Sequence, residues 1–207
     1  MSSLRVLPLG PPGAGKGTQS RRIAEAYDIN HISTGDMLRA NKDMETDHGT
    51  PGEYMDAGEL VPDPVMKAVV EEALSDLDGY VLDGYPRTLE QAEHLESVTD
   101  LDAIIYLTVD REELIRRLSG RRVDPETGQN YHVEFDMPDD PAVRERLVQR
   151  TDDEPDRVET RLEEYATKTR PVIEHYTDHE AFVEIDGNQS PDEVWEDIDA
   201  VLRDVGE

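Results

Sequence analysis

Val6-Leu7-Pro8-Leu9-Gly10-Pro11-Pro12-Gly13-Ala14-Gly15-Lys16-Gly17-Thr18 is the stretch on which the fold turns. An apolar run ends in a glycine-rich loop, and apolar residues at helical spacing (Ile23, Ala24, Tyr27) follow from about Gln19. Strand, loop and helix in that order form an anion site. Glycines let successive N–H groups converge on one point, and the helix adds the positive end of its dipole. The pattern G-x-x-x-x-G-K-[ST] holds through Lys16, but Gly17 stands where a hydroxyl residue is usual and Thr18 comes one place later.

Working outward, apolar runs at 5–9, 30–33, 80–82, 103–109 and 182–185 read as strands, separated by segments of helical spacing. That alternation predicts one parallel sheet covered by helices. Pro8 is at odds with a central strand, because it has no N–H to donate. Either pairing is lost there or the fold tolerates a defect. After Pro62 and Pro64 comes a helical repeat (Val65, Val69, Val70, Leu74), and a helix through Leu114 and Leu118 ends at Ser119-Gly120. Three acids and Pro155 open another helix, which Pro171 should interrupt, and a last one runs from Pro191 through Leu202. Residues 123–149 fit none of this. Rich in proline and set between arginine clusters, they read as an inserted lid, with a plain surface loop as the alternative.

The chain has 207 residues, room for one α/β domain with insertions. It carries no bilayer-length apolar run and no signal-type N-terminus, so a soluble cytoplasmic protein without membrane contact is expected. Without cysteine there is neither disulfide nor thiolate metal site. Forty-nine acidic residues oppose 21 basic ones, a net charge of −28, and only four of the basic ones are lysine (16, 42, 67, 168). Such a polyanion repels nucleic acid. The periodic apolar segments argue against disorder and for a folded protein of a salt-saturated cytosol, with an acidic protein of ordinary salt as the alternative.

Asp83 closes its strand at the carboxyl end, where open α/β sheets bind ligands, and is placed to organise Mg²⁺ through waters. Capping the next turn is its other reading. Asp36 is open between helix cap and metal-water holder. Arginines 39, 87, 117, 121, 150 and 161 sit near helix ends or turns, and guanidinium forks grip phosphate in a way lysine does not. Singly each would suit a surface ion pair. Arg117 and Arg121 are four apart, hence on one helical face. The six histidines show no metal spacing, and the pair His175 and His179 fits a solvated helix face.

Six motifs, 10–19 (GPPGAGKGTQ), 33–39 (STGDMLR), 55–61 (MDAGELV), 83–88 (DGYPRT), 120–123 (GRRV) and 131–132 (YH), occur in the order and spacing of adenylate kinases of the long-lid type, so the whole chain resembles that family. The resemblance implies a P-loop nucleoside monophosphate kinase fold, with a five-stranded parallel sheet flanked by helices, an inserted lid and an acceptor-binding helical segment. A core (1–32, 62–121, 158–207), an acceptor segment (about 33–61) and a lid (about 122–157) follow from it. It implies ATP + AMP ⇌ 2 ADP with Mg²⁺, in a monomer. The donor would meet Gly13, Ala14, Gly15, Lys16, Gly17, Thr18, Arg117 (stacked on the adenine), Arg121, Tyr131 and Gln189. The acceptor would meet Thr34, Arg39, Met55, Glu59, Val61, Gly84, Arg87, Gln91 (paired with the base edge), Arg150 and Arg161. Lys16, Arg87, Arg121, Arg150 and Arg161 would carry the transfer.

Two departures from the family pattern stand out: Tyr85 replaces a usual phenylalanine, and the lid has neither four cysteines nor a zinc replacement. A metal-free lid is expected, held instead by a network of Asp124, Thr127 and Asp140. Another nucleoside monophosphate acceptor or a GTP donor is the near alternative, although Thr34 and Gln91 favour AMP. A catalytically silent nucleotide-binding module is the remote one.

Overall fold

A computed structural model describes residues 3–45, 48–57 and 59–205. Gly58 of the 55–61 motif lies outside them. The chain runs β1 (Arg5–Leu9), α1 (Lys16–Tyr27), β2 (Asn30–Ser33), α2 (Thr34–Ala40), α3 (Pro51–Ala57), α4 (Asp63–Leu74), β3 (Tyr80–Asp83), α5 (Leu89–Val98), β4 (Ala103–Thr108) and α6 (Arg111–Gly120). Then follow β5 (Arg121–Val123), β6 (Asn130–His132), α7 (Pro141–Arg146), a 3₁₀ turn (Thr151–Asp153), α8 (Pro155–Glu164), a π-helical turn (Tyr165–Thr169), α9 (Arg170–Tyr176), β7 (Phe182–Asp186) and α10 (Pro191–Val205). Five strands form one parallel sheet in the order β2-β3-β1-β4-β7, as expected, while β5 and β6 pair antiparallel in a separate hairpin.

Strand alternation divides the core in two. Val6, Val81 and Ile105 point to the face covered by Ile23, Leu118, Leu162 and Ile198, whereas their neighbours Leu7, Leu82 and Ile104 point to the face covered by Met66, Leu95 and Val172. Both faces are apolar, which is why these strands read as continuous hydrophobic runs.

Pro8 is explained by register. The N–H of Tyr80 donates to the Leu4 carbonyl and that of Asp102 to the Arg5 carbonyl, so even-numbered residues of β1 face β3 and odd-numbered ones face β4. Pairing with β4 continues to Leu9↔Tyr106, but pairing with β3 ends at Val6↔Val81. The missing donor falls where no ladder bond is made.

The expected break near Pro171 takes the form of the π-helical turn, with Pro171 in the first turn of α9. Residues 123–149 contain most of the β5–β6 hairpin and α7, so the insertion has structure of its own. Arg121 begins β5 with extended dihedrals. It therefore does not continue the helical face of Arg117, because α6 stops at Gly120.

Candidate active site

A cleft of about 830 Å³ opens at the carboxyl ends of the strands, and every residue proposed above for the donor, the acceptor, the transfer or the metal waters lines it. Its floor is the loop after β1. Gly10, Gly13 and Gly15 adopt positive φ (144°, 86° and 94°). Gly15 is the N-cap of α1, and no side chain caps that helix, so its first amides are free for an anion. A Cβ at Gly17 would come within 3.2 Å of Asp83 Oδ2. A side chain at position 17 would therefore crowd the Asp83 carboxylate.

Lys16 Nζ donates to the carbonyls of Gly10 (2.7 Å) and Pro11 (2.9 Å). Burial, reinforced by Arg87, Arg161 and Arg121 against the pull of Asp83, lowers its pKa to about 8. Burial, then Arg121 and Arg39, presses Arg150 down to about 10; its Nε is buried without a hydrogen-bond partner, while an Nη2 hydrogen reaches Asn130 Oδ1 (2.9 Å). Arg161 is lowered by burial and, among the cations, by Arg121. Arg87 is lowered by burial and then by Arg161, although part of the residue stays open to the cleft. Guanidiniums remain protonated throughout. In a chain of net charge −28, this cleft is short of negative charge.

Acidic residues pre-orient the arginines. Asp153, fully buried, accepts from Arg121 Nε (2.7 Å) and Nη2 (2.5 Å) and from Arg161 Nη1 (2.9 Å), and Arg161 also donates to the Asp152 carbonyl (3.0 Å). Arg117 bonds Glu113 one turn back (2.8 Å), and Arg39 bonds Asp36 (2.5 Å). Asp36 does not cap α2: Ser33 does, accepting from the Asp36 N–H. Nor does Asp83 cap the next helix, since Thr88 is the N-cap of α5.

At the other end of the cleft lie Thr34, Met55, Glu59, Val61, Gly84 and Gln91. Thr34 donates to the Asp83 carbonyl (3.2 Å). Arg87 is clamped at both backbone groups: its N–H donates to Gln91 Oε1 (2.7 Å), and its carbonyl accepts from Thr169 Oγ1 (2.9 Å) on the π-helical turn. Tyr85, buried, shares a hydrogen bond with His94 Nδ1 (2.8 Å), and His94 Nε2 meets Glu71 (2.7 Å), so the unexpected hydroxyl has a partner.

Beside Arg117 stands the hairpin, carrying Tyr131 into the cleft. Asp124 accepts from Thr127 (3.0 Å), as expected, but Asp140 instead caps α7 through the Ala142 N–H (2.9 Å). The third member is Arg146, which gives Asp124 a two-pronged bond (2.7 and 2.6 Å). Asp140 sits at the start of its own helix and spends its oxygen there. Sequence reading also missed Asp153, Asp63 and Thr169. Thr169 lies 82 positions from the residue it holds, and no local pattern carries that information. Among the described residues no three His, Asp or Glu side chains converge to hold a metal directly.

Residues 8–181 match the family model described as adenylate kinase. The chain is 58% identical over 204 residues to the adenylate kinase of Natronomonas pharaonis, covering 99% of both chains. It is also 58% identical over 211 residues to that of Haloarcula marismortui (97% of this chain, 98% of the relative) and 47% over 216 residues to that of a Thermoanaerobacter species (98% and 100%). The chain belongs to the adenylate kinase family. This adenylate kinase is an ATP:AMP phosphotransferase, working reversibly to give two ADP.

Proposed function

We propose that the two ends of the cleft hold the two nucleotides and that the cation cluster between them carries the transfer. The donor phosphates take the loop at Gly13 to Thr18, where the Ala14 and Thr18 amides already bond the Pro11 and Gly15 carbonyls and those of Lys16 and Gly17 are left to meet the anion, and Lys16 exchanges two carbonyls for phosphate oxygens. Arg117 stacks on the donor adenine, with Tyr131 and Gln189 beside it. The acceptor phosphate meets Arg39 and Arg87, while its base lies against Thr34, Met55, Glu59, Val61 and Gly84 with Gln91 on its edge. Arg121, Arg150 and Arg161 face the group in flight and neutralise charge as it spreads over the equatorial oxygens. No general base is required, since an acceptor phosphate oxygen is already anionic.

Mg²⁺ supplies further charge neutralisation between the donor phosphates when bound with ATP. The residues suit a hydrated ion held through waters: Asp83 and Asp36 offer carboxylate oxygens at the cleft floor, and beside them the buried Nε2 of His31 makes no hydrogen bond of its own. The lid, about 122–157, closes against the core (1–32, 62–121, 158–207) and the acceptor segment (about 33–61) to exclude water, which would compete as acceptor. Lid closure of this kind is a general property of adenylate kinases. We place the enzyme in the cytoplasm as a monomer whose ligands are ATP, AMP and ADP. Its net charge argues against nucleic acid, and no helix among the described residues is long and apolar enough to cross a membrane.

The observation that carries this reading is the convergence of Lys16, Arg87, Arg121, Arg150 and Arg161 on one cleft in so acidic a chain. The test is Lys16→Met in molar KCl: turnover with ATP and AMP falls about 10²–10³-fold at unchanged melting temperature. Near-parental turnover would overturn the assignment of Lys16. At pH 8 calorimetry in buffers of different ionisation enthalpy should show proton uptake on ATP binding, because phosphate restores the ammonium, and the uptake should vanish in Lys16→Met.

A further inference from the structure

Asp63 is the first residue of α4 and belongs to none of the motifs above. Its carboxylate meets two partners: Oδ1 accepts from Gln91 Nε2 (2.5 Å), and Oδ2 accepts from the Thr88 hydroxyl (2.9 Å). A carboxylate accepts and does not donate. Gln91 Oε1 in turn accepts from the Arg87 N–H, which donates and does not accept. The two ends of the Gln91 amide therefore face partners of opposite and invariant character. Turning the amide over would set its oxygen against a carboxylate and its NH₂ against an N–H.

We propose that Asp63 is the specificity-determining residue that fixes the orientation of the Gln91 amide and so selects 6-amino over 6-oxo purine monophosphates. The inference rests on the reading that Gln91 meets the acceptor base. Each amide end keeps one valence after binding its protein partner: one N–H remains on Nε2 and one lone pair on Oε1. Adenine offers an acceptor at N1 beside a donor at N6, matching that pair in one orientation. Hypoxanthine and guanine carry N1–H beside O6 and match only the reversed amide. A freely rotating glutamine would serve both, whereas a locked one leaves the 6-oxo purine facing like against like. Sites built to bond a particular polar edge discriminate steeply for this reason.

The test compares kcat/KM for AMP and for IMP, with ATP as donor in molar KCl, in the parent, Asp63→Ala, Asp63→Asn and Gln91→Ala. In Asp63→Ala the preference for AMP over IMP should fall about tenfold, mainly through KM, with the KM for ATP unchanged. Asp63→Asn keeps the shape and one acceptor oxygen, so it should relax the preference severalfold, and it carries the test if the alanine variant is too unstable to assay. Gln91→Ala should lower the preference at least as far. An unchanged ratio in both Asp63 variants, alongside a reduced ratio in Gln91→Ala, overturns the proposal. An unchanged ratio in Gln91→Ala overturns the reading beneath it, that Gln91 meets the base, and the proposal with it.

Discussion

The core and the lid of this enzyme are built on opposite materials. In the sheet and its flanking helices most of the buried side chains are apolar, with Val6, Leu7, Ile104, Ile105 and Leu107 wholly inaccessible. Within residues 121–150 the two buried side chains are a carboxylate, Asp124, and an imidazole, His132. Val133, Phe135, Met137 and Val148 are left exposed there. The core is thus held by apolar area removed from water, a force without direction that binds many elements together. The lid is held by directed bonds, most of them internal, with a few from His132, Val133 and Glu134 to Arg116 and Gly120 of α6. Asp124 gathers Thr127, Arg146 and the Glu126 N–H, while His132 stacks on Phe135 with centroids 3.6 Å apart and packs so closely on Gly120 that a Cβ there would clash. A unit tied internally in this way can keep its shape while moving against the rest.

That contrast is sharpest for a deletion in the core. Leu107→Ala leaves a cavity between β4 and its neighbours and should lower global stability by about 2–5 kcal/mol, a large part of the 5–15 kcal/mol typical of a folded chain. Far-ultraviolet circular dichroism during thermal unfolding checks it, and loss of the lid alone would break the comparison. The second effect is that of salt. Raising KCl from about 0.05 to 3 M shortens the Debye length to a few ångströms, screening the repulsion of a −28 surface while apolar burial is favoured. The melting temperature of the whole protein should rise markedly, and full stability at the dilute end would sink the halophilic reading.

Arg146→Ala tests the other side. It strands the Asp124 carboxylate, which its immediate partners shield although the surrounding lid is thin. Limited proteolysis should cut within 121–150 about tenfold faster, with the global melting temperature close to the parent's. A global loss instead would show that lid and core are one cooperative unit. The smallest effect is that of pH. Burial holds the His132 pKa below 6.5, so the folded lid binds fewer protons than the unfolded one as pH falls through that value. The contribution of His132 is therefore complete above about pH 6.5 and declines below it. Asp124, whose bond to Arg146 first of all depresses its pKa, stays ionised over the same range. Relative to the intrinsic rate, which itself falls with pH, hydrogen exchange in the hairpin should quicken a few-fold between about pH 6.5 and 5, and His132→Phe should abolish the dependence.

Much of this was legible in the sequence, but unequally. The five core strands were readable because both faces are apolar and turn residues bound each run. The hairpin was not, since Arg121–Val123 and Asn130–His132 are three residues each and polar. Arg121 was misplaced onto a helical face because its four-residue spacing from Arg117 outweighed the Ser119-Gly120 signal, at which α6 does end. Asp140 was expected in the lid network from the family resemblance aligned across a shortened loop, yet a proline after it made it a helix cap, and Arg146 filled the place.

The sequence by itself determined that a strand, a glycine-rich loop with Lys16 and a helix make an anion site, since those depend on neighbours along the chain. It also determined a sheet buried on both faces and an acidic surface for concentrated salt. Tertiary structure alone decided which carboxylate pairs with which arginine, that Pro8 falls where β1 and β3 have parted, and that Asp63 and Thr169 steady Gln91 and Arg87. The Asp63–Gln91 and Thr169–Arg87 contacts join residues 28 and 82 positions apart, and among 49 carboxylates no charge pattern singles out the one that folding brings within reach.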